Sequence, residues 1–133
     1  MRYKILVLAG AALLAGCRGT TDVQPGEEFS LRPGERVEIA GGVAVVRFVA
    51  VPQDSRCPSD VVCIWAGDAV ARLDLLVAGD SMRSDLHTNA QGGSVQAESH
   101  GYVLELVSLA PNPRSGTQIP QAEYTATLRV NPR

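Results

Sequence analysis

Three hydropathy regimes follow one another along the chain. Residues 1–16 open with two cations, Arg2 and Lys4, and continue as an unbroken apolar run, "ILVLAGAALLAG", with no polar face. Such a run is shorter than the roughly 20 residues a helix needs to cross a bilayer. Charge, a short apolar stretch and small residues, in that order, are the layout of an export signal peptide. Residues 17–27, "CRGTTDVQPGE", are polar, contain Gly and Pro and show no period. They read as a flexible tether with an r.m.s. reach of about 20 Å. Residues 28–133 form short runs rich in apolar and β-branched side chains, and this region reads as one β domain.

Within that domain Pro33-Gly34 and Gly41-Gly42 are turn signals, and the glycine pair supplies the positive φ angles a tight hairpin needs. "VAVVRFVAV", 43–51, is nearly all apolar and predicts a central strand covered on both faces. In "AVARLDLLV" Arg72 and Asp74 alternate with Ala71, Leu73 and Leu75, the period of a half-buried strand. Gly79-Asp80 and His100-Gly101 read as turns. "YVLELVSLA" and "EYTATLRV" alternate on either side of the Pro-rich loop "PNPRSGTQIPQ". No segment of helical period is long enough to compete. The expectation is all-β, a single small β-sandwich or partly closed barrel of about eight short strands.

Charge narrows the partners. Without the signal, ten basic and fourteen acidic side chains remain, so a net charge of -2 becomes -4. A mildly acidic body with scattered arginines is no electrostatic match for nucleic acid.

At the end of the signal, "LAGC", Leu14 to Cys17, resembles the lipobox of bacterial lipoproteins in all four positions. The resemblance implies a thioether-linked diacylglyceryl on Cys17, cleavage before it and fatty acylation, of the palmitate kind, at the new amino terminus. More than one acyl chain suffices for stable membrane anchoring, where one is marginal. The residue after the cysteine is Arg18 and not the aspartate that tends to retain lipoproteins at the inner membrane. The resemblance therefore points to the cell envelope, at the outer membrane where the host has one.

With Cys17 assigned to lipid, Cys57 and Cys63 remain, and an even pair in an exported chain reads as a disulfide. The surrounding stretch, "DSRCPSDVVCIWAGDA", 54–69, is the densest in candidate chemistry and contains the only tryptophan. Asp54, Arg56, Asp60, Trp65 and Asp68 make it a candidate binding loop. Other uses of the stretch fit less well. Redox pairs favour C-x-x-C at a helix start, and here five residues intervene. A zinc site would have to recruit His87 and His100, which lack paired ligand spacing and read as surface residues. Asp54, Asp60 and Asp68 match no calcium-loop pattern and read as turn caps. Trp65 is expected to pack against the disulfide. The segment "DSRCP…CIWAGDA", with "FSLRPGE", "VRFVAV" and "YTATLRV", is similar to a group of uncharacterised small secreted bacterial proteins and lipoproteins. That resemblance implies fold and compartment and carries no catalytic residue.

"GDSMR", 79–83, with Asp85 and His87, imitates the serine motif of a GDS-type esterase. In that family the serine and its Asp/His pair stand at opposite ends of a larger α/β domain, so an all-β chain of this size does not fit it. The reading is a non-enzymatic envelope lipoprotein without cofactor or metal, held to the membrane through Cys17, whose domain binds an envelope protein or a small ligand. Two alternatives stand beside it: a structural or assembly lipoprotein docking a larger complex, and a small protease inhibitor presenting the Cys57–Cys63 loop.

Overall fold

The computed structural model describes residues 21–133. The stretch read as a signal peptide, Cys17 and the first part of the expected tether lie outside the described residues. Nine strands follow in order: β1 (Asp22–Val23), β2 (Glu28–Leu31), β3 (Arg36–Ile39), β4 (Ala44–Asp54), β5 (Ala69–Val77), β6 (Asp80–His87), β7 (Gln96–Ser99), β8 (Tyr102–Ala110) and β9 (Thr125–Pro132). One 3₁₀ turn, Gln121–Glu123, precedes β9. The strands form two separate sheets, β1-β3-β4-β5-β6 and β2-β9-β8-β7. The architecture is thus a sandwich, and the barrel alternative falls away because the two hydrogen-bond ladders never join.

Alternation sets the core. Ile39, Val46, Phe48, Leu73, Leu75 and Leu86 of the first sheet face Leu104, Leu128 and Val130 of the second, and all are essentially inaccessible. Burying each such side chain stabilises by about 1.5–3 kcal/mol. On β4 the expected burial of both faces is not found. Arg47 is exposed and Val45 and Val49 are only half-buried, because sandwich strands cover one face and leave the other to solvent. On the outward face of β5, Asp74 is buried to 8% exposure and takes a bidentate pair of hydrogen bonds from Arg83 (2.7 and 2.9 Å).

The tether reading also needs correction within the described residues. Asp22–Val23 pairs in parallel with Glu38–Ile39, and Val23 is buried in the core cluster. A lone valine among polar residues gave too little periodicity to reveal a two-residue strand.

The sandwich has two unlike ends. At one, β3–β4 turns through residues 40–43, and Ala78-Gly79 and His100-Gly101 make two-residue hairpins with positive φ at both positions, the signature of turns whose twist matches the strands. His100 Nε2 lies 3.0 Å from Asp80, joining the two sheets here. At the other end are the three long connections, 55–68, 88–95 and 111–124. The first end is called the turn pole below and the second the loop pole.

Candidate functional site

The β4–β5 connection is an arm rather than a slack loop. Beyond the last strand pair, Asp54–Ala69, the hairpin continues through Ser55 N–H to Asp68 O (2.7 Å) and Cys57 N–H to Ala66 O (2.9 Å). The Cys57–Cys63 disulfide closes the tip, with Cα atoms 5.9 Å apart. Gly67 is required where the arm narrows: its φ is +69°, and a side chain there would run into the Ser55 carbonyl.

Three aspartates fasten the arm, each to a different neighbour. Asp54 receives both forks of the Arg56 guanidinium (2.7 and 2.9 Å) and the Tyr124 hydroxyl (2.9 Å). Arg56 also donates to the carbonyls of Leu109 (2.7 Å) and Pro111 (2.9 Å), stitching the arm's base to the second sheet. Burial opposes ionisation of Asp54, but the Arg56 and Tyr124 hydrogen bonds outweigh it and hold the carboxyl below the ordinary value of 3.8. Burial and the hydrogen bond to Asp54 push the Tyr124 phenol up to about 12. Asp60 accepts from the Ser115 hydroxyl (2.5 Å) and amide (2.9 Å), which lower its pKa, while Ser59 N–H donates to Pro113 O (2.8 Å). Asp68 lies 2.5 Å from His87 Nδ1 and accepts from Thr88 Oγ1 (3.2 Å) and Asn89 N–H (3.0 Å). Burial again opposes the charge, and the His87 and Asn89 contacts prevail to lower the Asp68 pKa. Gly92 and Gly93 lie so close over Asp68 and the His87 ring that neither has room for a side chain.

These contacts revise the sequence reading. The aspartates do more than cap turns; they are struts between loops. His87 is half-buried against Asp68 and not a surface residue, and His100 stands at the opposite pole beside Asp80. The four residues considered for zinc therefore do not converge, and the two cysteines bond to each other. No cluster of three or more His, Cys, Asp or Glu side chains able to hold a metal occurs among the described residues. The esterase-like residues are spread along β6: Ser81 and His87 stand about 20 Å apart at strand spacing, and Asp85 is committed to Arg72 (2.8 Å).

The largest correction concerns Trp65. It does not pack on the disulfide; it is 79% exposed, and beside it Val62 and Ile64 are almost wholly exposed and Val61 is 45% exposed. Of the five residues named as a binding loop, Asp54, Arg56, Asp60 and Asp68 are turned onto neighbouring loops, and only Trp65 stands on the outward tip. Val61, Val62 and Ile64 were missed. Their signal was "VVCIW", an apolar run without the period-two alternation of a half-buried strand. Open clefts of about 540 and 570 Å³ flank the arm. One lies against Val51, Ile119 and Tyr124; the other lies between Arg56, Asn89 and Leu109.

No protein-family model, curated protein or solved structure matches this chain.

Proposed function

We propose that the protein is a lipid-anchored, non-enzymatic binding domain of a bacterial cell envelope, and that the loop pole is its binding face. Four exposed apolar side chains gathered on a braced tip carry this reading. Isolated exposed apolar residues are ordinary on a protein surface, whereas a contiguous group on a protrusion marks an interaction site. Bracing by the disulfide and the aspartate struts lowers the ordering cost of association. The lipobox at Leu14–Cys17 and the disulfide agree in requiring export. A second reading is favoured by the same bracing: a small protease inhibitor that offers the arm to an active-site cleft.

Two experiments test the proposal. Cys17→Ser should release the protein from membranes, and continued fractionation with membranes would refute the anchor. Replacing Val62, Ile64 and Trp65 together by Ser should leave the melting temperature unchanged. The same change should remove the species cross-linked to the wild-type chain in intact envelopes. An unaltered cross-linking pattern would refute the loop pole as the binding face.

A further inference from the structure

We infer that the free edge of β6 pairs antiparallel with β6 of a second copy of this chain, Ser84 opposite Ser84, and joins two five-stranded sheets into one. The two sheets of the sandwich expose four edges, β1 and β6 of the first and β2 and β7 of the second. Three of them are short, at two, four and four residues. β6 has eight residues, contains no Pro, Gly or Lys, and follows β5 in unbroken register. Short strands, prolines, bulges and lysines are the devices that keep sheet edges from pairing, and β6 has none of them.

Backbone parity shows which groups the edge offers. Val77 and Asp80 flank the two-residue Ala78-Gly79 turn and are a hydrogen-bonded pair. Even-numbered residues of β6 therefore direct their N–H and C=O groups at β5, and Ser81, Arg83 and Asp85 direct theirs away from it. The next residues agree: His87 N–H leaves the sheet for Ser94 O (2.8 Å), and Thr88 N–H turns back to Ala69 O (2.9 Å). The outward backbone groups of Ser81, Arg83 and Asp85 meet no other strand among the described residues.

Charge selects both the occupant and the register. Centred on Ser84, the pairing sets Arg83 against Asp85 of the second copy, Asp85 against its Arg83, and Met82 against its Leu86. Arg83 and Asp85 then exchange backbone hydrogen bonds on both sides of the two-fold axis. Centring on Arg83 or on Asp85 would put like charges face to face, which destabilises a sheet, whereas opposite charges support it. Centring on Met82 leaves Asp85 opposite Gly79, without a cation, and centring on Leu86 needs the His87 N–H that Ser94 already holds. Both charged groups have capacity to spare. Arg83 spends Nε and Nη2 on Asp74, keeps Nη1 free and is 60% exposed; Asp85 takes Arg72 and is 41% exposed. Cross-strand register already places Arg72 opposite Asp85 and Asp74 opposite Arg83. Across the joined sheets one row reads Arg72, Asp85, Arg83, Asp74 and the next Asp74, Arg83, Asp85, Arg72. The sign alternates at every step along and between the rows.

The test uses the full chain. Ser84→Cys places two thiols on the two-fold axis at a non-hydrogen-bonded pair, with Cα atoms about 4.5 Å apart, within reach of a disulfide. Ser81→Cys places its thiols about 20 Å apart at strand spacing. Under mild oxidation Ser84→Cys should give a covalent dimer with the Cys57–Cys63 bond retained, and Ser81→Cys should not. Self-association is followed by sedimentation from about 1 μM to about 1 mM. Arg83→Asp and Asp85→Arg should each weaken it at least tenfold alone, and their equimolar mixture should recover a dimer with one copy of each. No covalent dimer from Ser84→Cys, or equal yields from the two cysteine positions, would overturn the inference. So would a mixture that associates no better than its components. Both reversals also disturb the charge ladder within one copy, so circular dichroism checks that each is folded; where either is not, the cysteine comparison decides.

Discussion

At the turn pole the chain reverses over two to four residues in three hairpins, whereas at the loop pole the three connections run to fourteen, eight and fourteen residues. The turn pole is held by backbone: Ala78-Gly79 and His100-Gly101 adopt the positive φ pair, and few side chains are needed beyond His100 against Asp80. The loop pole is held by side chains reaching across the sequence. Asp54 and Tyr124 are 70 residues apart, Asp60 and Ser115 are 55 apart, and Asp68 and His87 are 19 apart. Gln121 adds a reciprocal pair with the Val51 backbone, donating to its carbonyl (2.8 Å) and accepting from its N–H (2.9 Å). Backbone turns make an end compact and silent. Side-chain struts let an end project while staying rigid, which a binding face needs and long loops seldom provide.

The contrast can be attacked where it is strongest. Arg56→Ala removes the hub of the struts and leaves Asp54 largely buried without its cation. A loss on the order of 3 kcal/mol is expected in urea denaturation. A loss below about 0.5 kcal/mol would mean that the arm is held by backbone after all. Glycines give a paired comparison. Gly67→Ala combines strain at φ +69° with collision against the Ser55 carbonyl, and should cost about 2–3 kcal/mol. Gly79→Ala, at φ +85° but facing open space, should cost only about 1 kcal/mol. Equal melting temperatures for the two variants would erase the distinction between the poles.

Cys57→Ser should cost about 2 kcal/mol on the loop-entropy account, and should hasten proteolytic cleavage within residues 58–66 more than it lowers the melting temperature. An unaltered cleavage rate would show that the disulfide does not brace the tip. Acid supplies the mildest test. The folded-state values of Asp54 and Asp68 lie below the ordinary 3.8, so their contribution is present above that value and is lost as pH falls through the folded values. Mobility of Trp65, read by fluorescence anisotropy, should rise as pH falls below about 3.8, and less so in Asp54→Asn. A pH-independent anisotropy down to global unfolding would contradict the struts.

Much of the turn pole was legible in the sequence because its information is local. Gly41-Gly42, Gly79 and His100-Gly101 announce reversals by their own backbone preferences, and the alternation in β5 and β9 assigns the core face. The disulfide was legible through cysteine parity, once residues 1–16 were read as an export signal. The loop pole was not, since no local rule couples Asp60 to Ser115 or Asp68 to His87. Trp65 shows the limit most clearly. Apolarity says that a side chain gains from leaving water, but not where a cover exists. Residues 61–65 lie beyond the end of both sheets, where nothing of this fold opposes them. The same absence of a facing surface explains why β4 is half-wet on its outer face despite its apolar composition.

The struts end where the tip begins. Each of Asp54, Arg56 and Asp68 makes its contacts outside residues 61–65, and among the tip's neighbours only Asp60 and Ser59 tie back to another loop. The identities of Val61, Val62, Ile64 and Trp65 are thereby uncoupled from the folding of the domain. Such a segment is free to diversify, by natural drift or by a randomised library, without repacking anything beneath it. The domain is in that sense a display frame, with the Cys57–Cys63 clasp as the mount for four interchangeable side chains.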